Sequence, residues 1–285
     1  MSGSGSFVGL DLGATELRGV QVHRRSGTVS HAARVPLPDG ILHHGEVVDE
    51  KGLAKSLRSL WRAGRFSTRR VAFALPDTGV LTRQLDLPWM AASDFRASLR
   101  WQVGEALPVD LDTVELDYAS LGTFNTADQH GQQLKMQRCL VVSASSAGVT
   151  NTCSADMRAH LEPLAADVAS LALLRTELTL HPQEGEDDSL HALVDLGAGD
   201  VTVVLHSGGD PRFIRAVPQV AGGAIIDSLV NVLGVDRTRA CALLTEVGLN
   251  GPPPIVAPVA ESSVFAALAP TTQVAMDPLA VSALG

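Results

Sequence analysis

Residues 7–22 read FVGLDLGATELRGVQV: an apolar run, a turn carrying Asp11 and Gly13, and a second run that returns along the first. The pattern predicts two strands, 7–13 and 17–23, around a short connection. A second copy stands further along, where residues 190–206 read LHALVDLGAGDVTVVLH. DLGA occurs at 11–14 and again at 195–198, each time after a short apolar strand and before another. Leu17 then matches Val201, and Val20 matches Val204, so the natural reading is a distant internal duplication.

Such a turn suits phosphate. Backbone N–H groups in a tight turn donate without side-chain bulk, and glycine lets the backbone approach closely. A carboxylate beside a phosphate repels it unless Mg²⁺ lies between them, usually with some of its waters retained. Two Asp-x-Gly hairpins facing across a cleft would grip the phosphates of a nucleotide from both sides, with Asp11 and Asp195 as the metal-side candidates. Asp and Gly are also ordinary turn residues, and a carboxylate that caps nearby N–H groups reads the same way. Arg18 reads equally as a phosphate contact or a solvated strand arginine, and Asp200 in the second turn adds repulsion. Gly222 and Gly223 precede a helix whose N-terminus could face an anion, although a packing role reads more naturally.

The remaining chain reads as alternating strands and helices, an α/β protein. Its 285 residues are 45% hydrophobic with a net charge of −9, a balance that works against nucleic acid or anionic lipid. No run of 18 apolar residues predicts a membrane span, and MSGSGS leads into a strand pattern rather than a secretory signal. Cys139, Cys153 and Cys241 lack metal-ligand spacing and read as small core residues of a reduced compartment. Residues 50–64 place Leu53, Leu57, Leu60 and Trp61 on one helical face, and 70–75 (RVAFAL) is a buried, parallel strand. Residues 79–88 alternate as a half-buried strand. A helix over 92–108 opens on a Ser93-Asp94 cap signal and stops at Pro108. Strands over 114–122 and 135–145 flank a polar loop, 124–134. Residues 154–162 read as a helix, 164–181 as a strand running into a helix, and 182–189 as an acidic linker. His43 and His44 read as loop residues, Trp61 and Trp101 as core, and Glu105 as an exposed late-helix charge.

At this point the residues resemble the PilM branch of the actin-like ATPase superfamily. GLDLGATELRGV (9–20) and VDLGAGDVTVV (194–204) resemble its two phosphate hairpins. The segment 74–122 is the most specific part, with Pro88, Trp101, Glu105, Pro108, Asp117 and Tyr118 at matching places. FIRAVPQVAGGAIIDSLVNVLGVDRTRACALL (213–244) resembles the family's Arg-strand, Gly-Gly and two-helix segment. The likeness covers roughly 7–250 and departs after Leu249, where the later Gly-Gly adenosine motif is missing.

The resemblance implies an actin-like (ribonuclease-H-like) two-lobed fold with an inserted α+β subdomain. The first lobe would be 7–76 and 151–185, the insertion 77–150, and a shortened second lobe 190–285. It implies ATP with Mg²⁺, held at Asp11, Gly13, Thr15 and Arg18 and at Asp195, Gly197, Gly199 and Thr202, with no catalytic residue assigned. It implies a cytoplasmic adaptor of a type IV pilus or competence machine, peripheral at the inner membrane. The adaptor would take up the N-terminal peptide of a PilN-like membrane protein and meet other assembly components. Leu81, Leu85, Leu87 and Trp89 are candidates to line that peptide groove, or else form the module's own core. An active Mg-ATPase, a sugar-kinase-type phosphotransferase and a ligand-free scaffold are the rival readings.

Overall fold

The computed structural model describes residues 5–43, 45–127, 131–181 and 189–247. The linker read at 182–189 (Ser189 apart), His44 and the chain beyond Val247 lie outside them. Two compact units are distinguished, Met1–Gly234 and Val235–Gly285.

The first hairpin forms where the apolar alternation put it. β1 (Ser6–Leu12) and β2 (Glu16–His23) pair antiparallel, and β3 (Val29–Pro36) continues the meander. Two short strands follow, β4 (Leu42–His43) and β5 (Glu46–Val47), so His43 is paired in a strand rather than looped. Helix α1 (Glu50–Gly64) has the predicted limits. The Asp49 carboxylate caps it, accepting from the N–H groups of Lys51 (3.1 Å) and Gly52 (3.0 Å). Leu53, Leu57 and Leu60 are fully buried; each such side chain contributes roughly 1.5–3 kcal/mol of burial. Replacing Asp49 with alanine is expected to lower stability by about 1 kcal/mol; an unchanged urea midpoint would contradict the capping role.

β6 (Arg70–Leu75) runs parallel to β1 on one side and to β10 (Glu162–Val168) on the other. The resulting five-stranded sheet has the order β10-β6-β1-β2-β3. Its core joins Leu10, Leu12, Leu17 and Phe73 to the α1 leucines and to Ala155 of α3 (Ser146–Arg158). The sequence predicts a helix only from 154; the Ser145 hydroxyl, which accepts from the Gly148 N–H, sets the earlier start.

Between β6 and α3 the chain builds a three-stranded antiparallel sheet, with a core of its own. β7 (Val80–Pro88), β8 (Val114–Ala127) and β9 (Gln133–Ser145) take the order β7-β9-β8, which leaves β7 at an edge. The strands are longer than the polar loop at 124–134 suggested. Helix α2 (Ala92–Val103) lays Phe95, Leu99 and Val103 against Leu87, Cys139 and Val141. No side chain caps its start, so the Ser93-Asp94 signal is not used as a cap. It ends at Val103, before Pro108, and the Val103 carbonyl accepts from the Ala106 and Leu107 N–H groups in the turn that follows. Trp101 is 88% exposed, against the core position expected for it, whereas Trp61 packs partly buried against the main core.

After β10, α4 (Ala169–Leu180) leads to a second meander. β11 (His191–Leu196), β12 (Val201–Ser207) and β13 (Asp210–Val217) are antiparallel in that order. α5 (Gly222–Leu233) follows within the first unit. In the second unit α6 (Arg237–Val247) starts where the Asp236 carboxylate accepts from the Arg239 N–H at 2.8 Å.

Candidate functional site: a cleft between two glycine turns

The two hairpins are copies in register as well as in sequence. Leu12 faces Leu17 across the first turn, and Leu196 faces Val201 across the second. One step back, Asp11 faces Arg18 and Asp195 faces Thr202. A Cβ on Gly13 would lie 2.8 Å from the Glu16 carbonyl oxygen, and one on Gly197 would lie 2.7 Å from that of Asp200. Backbone oxygens at that distance cannot yield, so both turns close only on glycine. The tips also touch: a Cβ on Gly199 would fall 2.7 Å from the Ala14 methyl.

Three parallel strands, β1, β6 and β10, point their carboxyl ends at these turns. Ligand sites of open α/β sheets sit at such ends. A cleft of about 370 Å³ opens there, lined by both turns, by Pro76–Thr78 after β6 and by Ala169 after β10. That volume lies within the range of small-ligand pockets.

Its walls are acidic. Asp11, Asp77, Asp195 and Asp200 line it, against Arg18 as the basic residue. The exposed Arg18 guanidinium donates to Asp11 (2.9 Å) and to Glu16 (2.8 Å), so it is engaged between two carboxylates while still open to solvent. Burial pushes the Asp11 carboxyl above its ordinary range; Arg18 opposes this and Asp195 adds to it. Asp200 is raised by burial first and then by Asp195 and Asp11. Asp77 is pushed up to about 6 by burial, against the hydrogen bonds from Ser170. An anion entering this cleft meets accumulated negative charge. Among the described residues no three His, Cys, Asp or Glu side chains converge as a metal cage. The donor set fits Mg²⁺ in its usual form, with one or two carboxylates, retained waters and substrate phosphates completing the shell.

The sequence-predicted residues divide as follows. Asp11, Gly13, Thr15, Arg18, Asp195, Gly197, Gly199 and Thr202 all line this cleft. Thr202 is buried on the cleft wall, where Asp77 also stands. Gly222 and Gly223 take the packing role: their N–H groups donate to the carbonyls of Gly197 and Ala198, both at 2.9 Å. Sequence reasoning missed Asp77. The signal was present, since PDTG directly follows the carboxyl end of a buried parallel strand.

The groove candidates separate too. Leu87 is buried in the inserted module's core, and Leu81 and Leu85 pack partly buried against it. That is the own-core alternative. Trp89 is 46% exposed, with the Lys135 ammonium 3.9 Å from its ring centroid.

The sequence profile of the family described as "Type IV pilus assembly protein PilM" matches residues 9–243. The chain belongs to this family. A solved "PilM-PilN type IV pilus biogenesis complex" is similar to it at 26% identity and TM-score 0.72, covering 84% of this chain and 68% of that one. The cytoplasmic domain of EpsL, an inner-membrane component of the type II secretion system of Vibrio cholerae, matches at 11% identity and TM-score 0.48, covering 81% of this chain and 75% of that one. The ethanolamine utilization protein EutJ of Carboxydothermus hydrogenoformans matches at 15% and 0.48, covering 84% and 61%. No curated protein matches significantly. The fold of this PilM-family chain is that of the actin-like ATPases. None of its described helices is long and apolar enough to cross a membrane.

Proposed function

We propose that this chain is a cytoplasmic adaptor of a type IV pilus or competence machine. It docks the N-terminal cytoplasmic peptide of a PilN-like inner-membrane protein, and its cleft takes a magnesium nucleotide. The observation that carries the reading is the likeness to the PilM-PilN complex over most of this chain. The inserted module supports it with an edge strand, β7, on which an extended peptide can add as a further strand. At the end of that strand Trp89 offers a half-exposed ring with a cation already seated on it.

In the cleft, Asp11 and Asp195 would face the metal, and the Gly13 and Gly197 turns would approach the phosphates. Mg²⁺ would supply the positive charge that four carboxylates and one engaged arginine lack. Thr15 stands exposed at the first turn, on the cleft wall, as a further hydroxyl for the ligand.

Calorimetric titration tests both halves. The PilN N-terminal peptide should bind the wild-type chain, and Trp89→Ala should weaken it about tenfold or more. Equal affinity of the two proteins would remove Trp89 from the groove, and no binding at all would end the adaptor reading. ATP should bind with Mg²⁺ and lose its affinity when the metal is chelated, because the bare triphosphate meets the acidic wall. Asp195→Ala should abolish the metal-dependent part. Binding indifferent to both metal and Asp195 would overturn the proposed arrangement of the cleft.

A further inference from the structure

The acidic cleft lies at the carboxyl ends of β1, β6 and β10, and the opposite end of the same sheet is basic. Between residues 51 and 70 the sequence has seven Lys and Arg and no Asp or Glu, in a chain of net charge −9. The fold gathers the later ones at that end. α1 finishes there with Arg62 and Arg65, and Arg69 and Arg70 stand at the entry to β6. The β2–β3 turn brings Arg24 and Arg25 to the same place. Gln21, near that turn, donates to the Ser67 hydroxyl (3.0 Å) and accepts the Ser67 N–H (2.8 Å), which ties it to the α1–β6 connection. The Arg69 guanidinium reaches the end of α3, donating to the His160 carbonyl at 3.2 Å. Arg24, Arg25, Arg62, Arg65 and Arg69 are exposed. Glu162 is an exposed carboxylate at this end, opposite Arg70 in the sheet register. Among the described residues Arg24, Arg25, Arg62 and Arg65 have no ion pair, whereas Arg158 is held by Glu50 at 2.8 Å. Met157 (60% exposed) and Val29 (58%) add apolar surface at the same end. The helix dipole accounts for a cation such as Arg62 in the last turn of α1. It does not account for Arg24 and Arg25, on a turn between strands, or for Arg65, whose φ of 48° lies in the left-handed region that glycine adopts most easily.

We propose that this arginine-rich end of the chain rests directly on an anionic bilayer surface. At physiological ionic strength charges more than about 8 Å apart are largely screened, so a bilayer meets the local arginines rather than the acidic total. The planar guanidinium pairs with phosphate through two parallel hydrogen bonds, and anionic headgroups of a cytoplasmic leaflet attract basic clusters of this kind. A single-stranded nucleic acid would need exposed rings on which to stack its bases. The rings at this end, Trp61 and Phe66, are partly buried and pack edge to face at 5.3 Å. That a membrane lies within reach rests on the adaptor reading: the docked peptide brings the chain to the bilayer, and the arginines then add a second, tethered contact.

Co-sedimentation of the full chain with vesicles tests this without any peptide. The chain should bind vesicles of phosphatidylglycerol and phosphatidylethanolamine, ignore vesicles of phosphatidylcholine, and be released by high salt. Each arginine lost should weaken binding about fivefold, so Arg24→Gln with Arg25→Gln should cost about 25-fold. Arg65→Gly should cost about fivefold without lowering the urea midpoint, since glycine takes the left-handed position more easily. Arg96→Gln removes an exposed cation from the inserted module instead and should change nothing. Equal binding to neutral vesicles, or binding unchanged in the arginine variants, would overturn the proposal. Tighter binding to duplex DNA than to acidic vesicles at the same salt would overturn it too. Calorimetry with the PilN peptide keeps the two readings apart. Vesicle binding by a chain that ignores the peptide would retain this surface and remove the adaptor, and peptide binding without vesicle binding would do the reverse.

Discussion

Asp156→Asn is expected to stabilise the chain at pH 8 by about 4 kcal/mol and to leave it almost unchanged at pH 4. Asp156 lies in α3, is fully buried, and neither carboxylate oxygen has a partner among the described residues. Burial pushes its carboxyl from 3.8 up to about 7. A raised carboxyl means that the folded state holds the proton more tightly than the unfolded one. Below pH 3.8 both states are protonated and there is no penalty. As the pH climbs toward 7 the unfolded chain ionises while the folded one resists, so stability falls across that window and is lowest above it. Asparagine has nearly the same shape and no charge, so it should remove both the slope and the penalty. Urea unfolding at the two pH values is the check. A gain of equal size at both, or a loss at pH 8, would show that Asp156 has a partner the argument lacks.

Phe95→Ala is expected to cost about 3–5 kcal/mol, felt first in the inserted module. Phe95 is fully buried in a cluster of only seven buried residues, and its ring lies 4.5 Å from that of Tyr118. So small a core has little with which to refill the hole. Limited proteolysis should cut within 80–145 while fragments carrying β1 and α1 stay protected, and peptide binding should disappear. Cleavage spread evenly over the chain would mean that the module and the main sheet unfold as one unit.

The sequence revealed the hairpins most clearly, because apolar alternation interrupted by glycine leaves the chain little choice. The limits of α1 were legible from its leucine spacing and Gly64, and the parallel β6 from its uninterrupted apolar run. The family was legible through the resemblance of 9–20, 74–122, 194–204 and 213–244 to its motifs. Trp101 was misplaced although the periodicity contained the answer. Phe95, Leu99 and Val103 define the buried stripe of α2, and a residue two positions from Leu99 points the opposite way. The first half of α3, SAGVTNTC, has weak helix propensity, and packing onto α1 overrides it. Alternation along β7 could not say whether its leucines faced a partner or their own helix. Asp77 was hidden because its partner is Ser170, a residue far away in sequence.

The order β10-β6-β1-β2-β3 also has a consequence in time. Four of its five strands have been synthesised by Leu75, but the strand that covers the far edge of β6 begins only at Glu162. Everything needed for the three-stranded sheet and its helix is made in between. During translation at about 5–20 residues per second, the β6 edge stands bare for roughly 5–20 s. In that interval the inserted module can close on its own core, so the guest is complete on the ribosome before its host. The open row of β6 amides and carbonyls is then the place where a nascent chain of this kind is most exposed to pairing with the wrong strand.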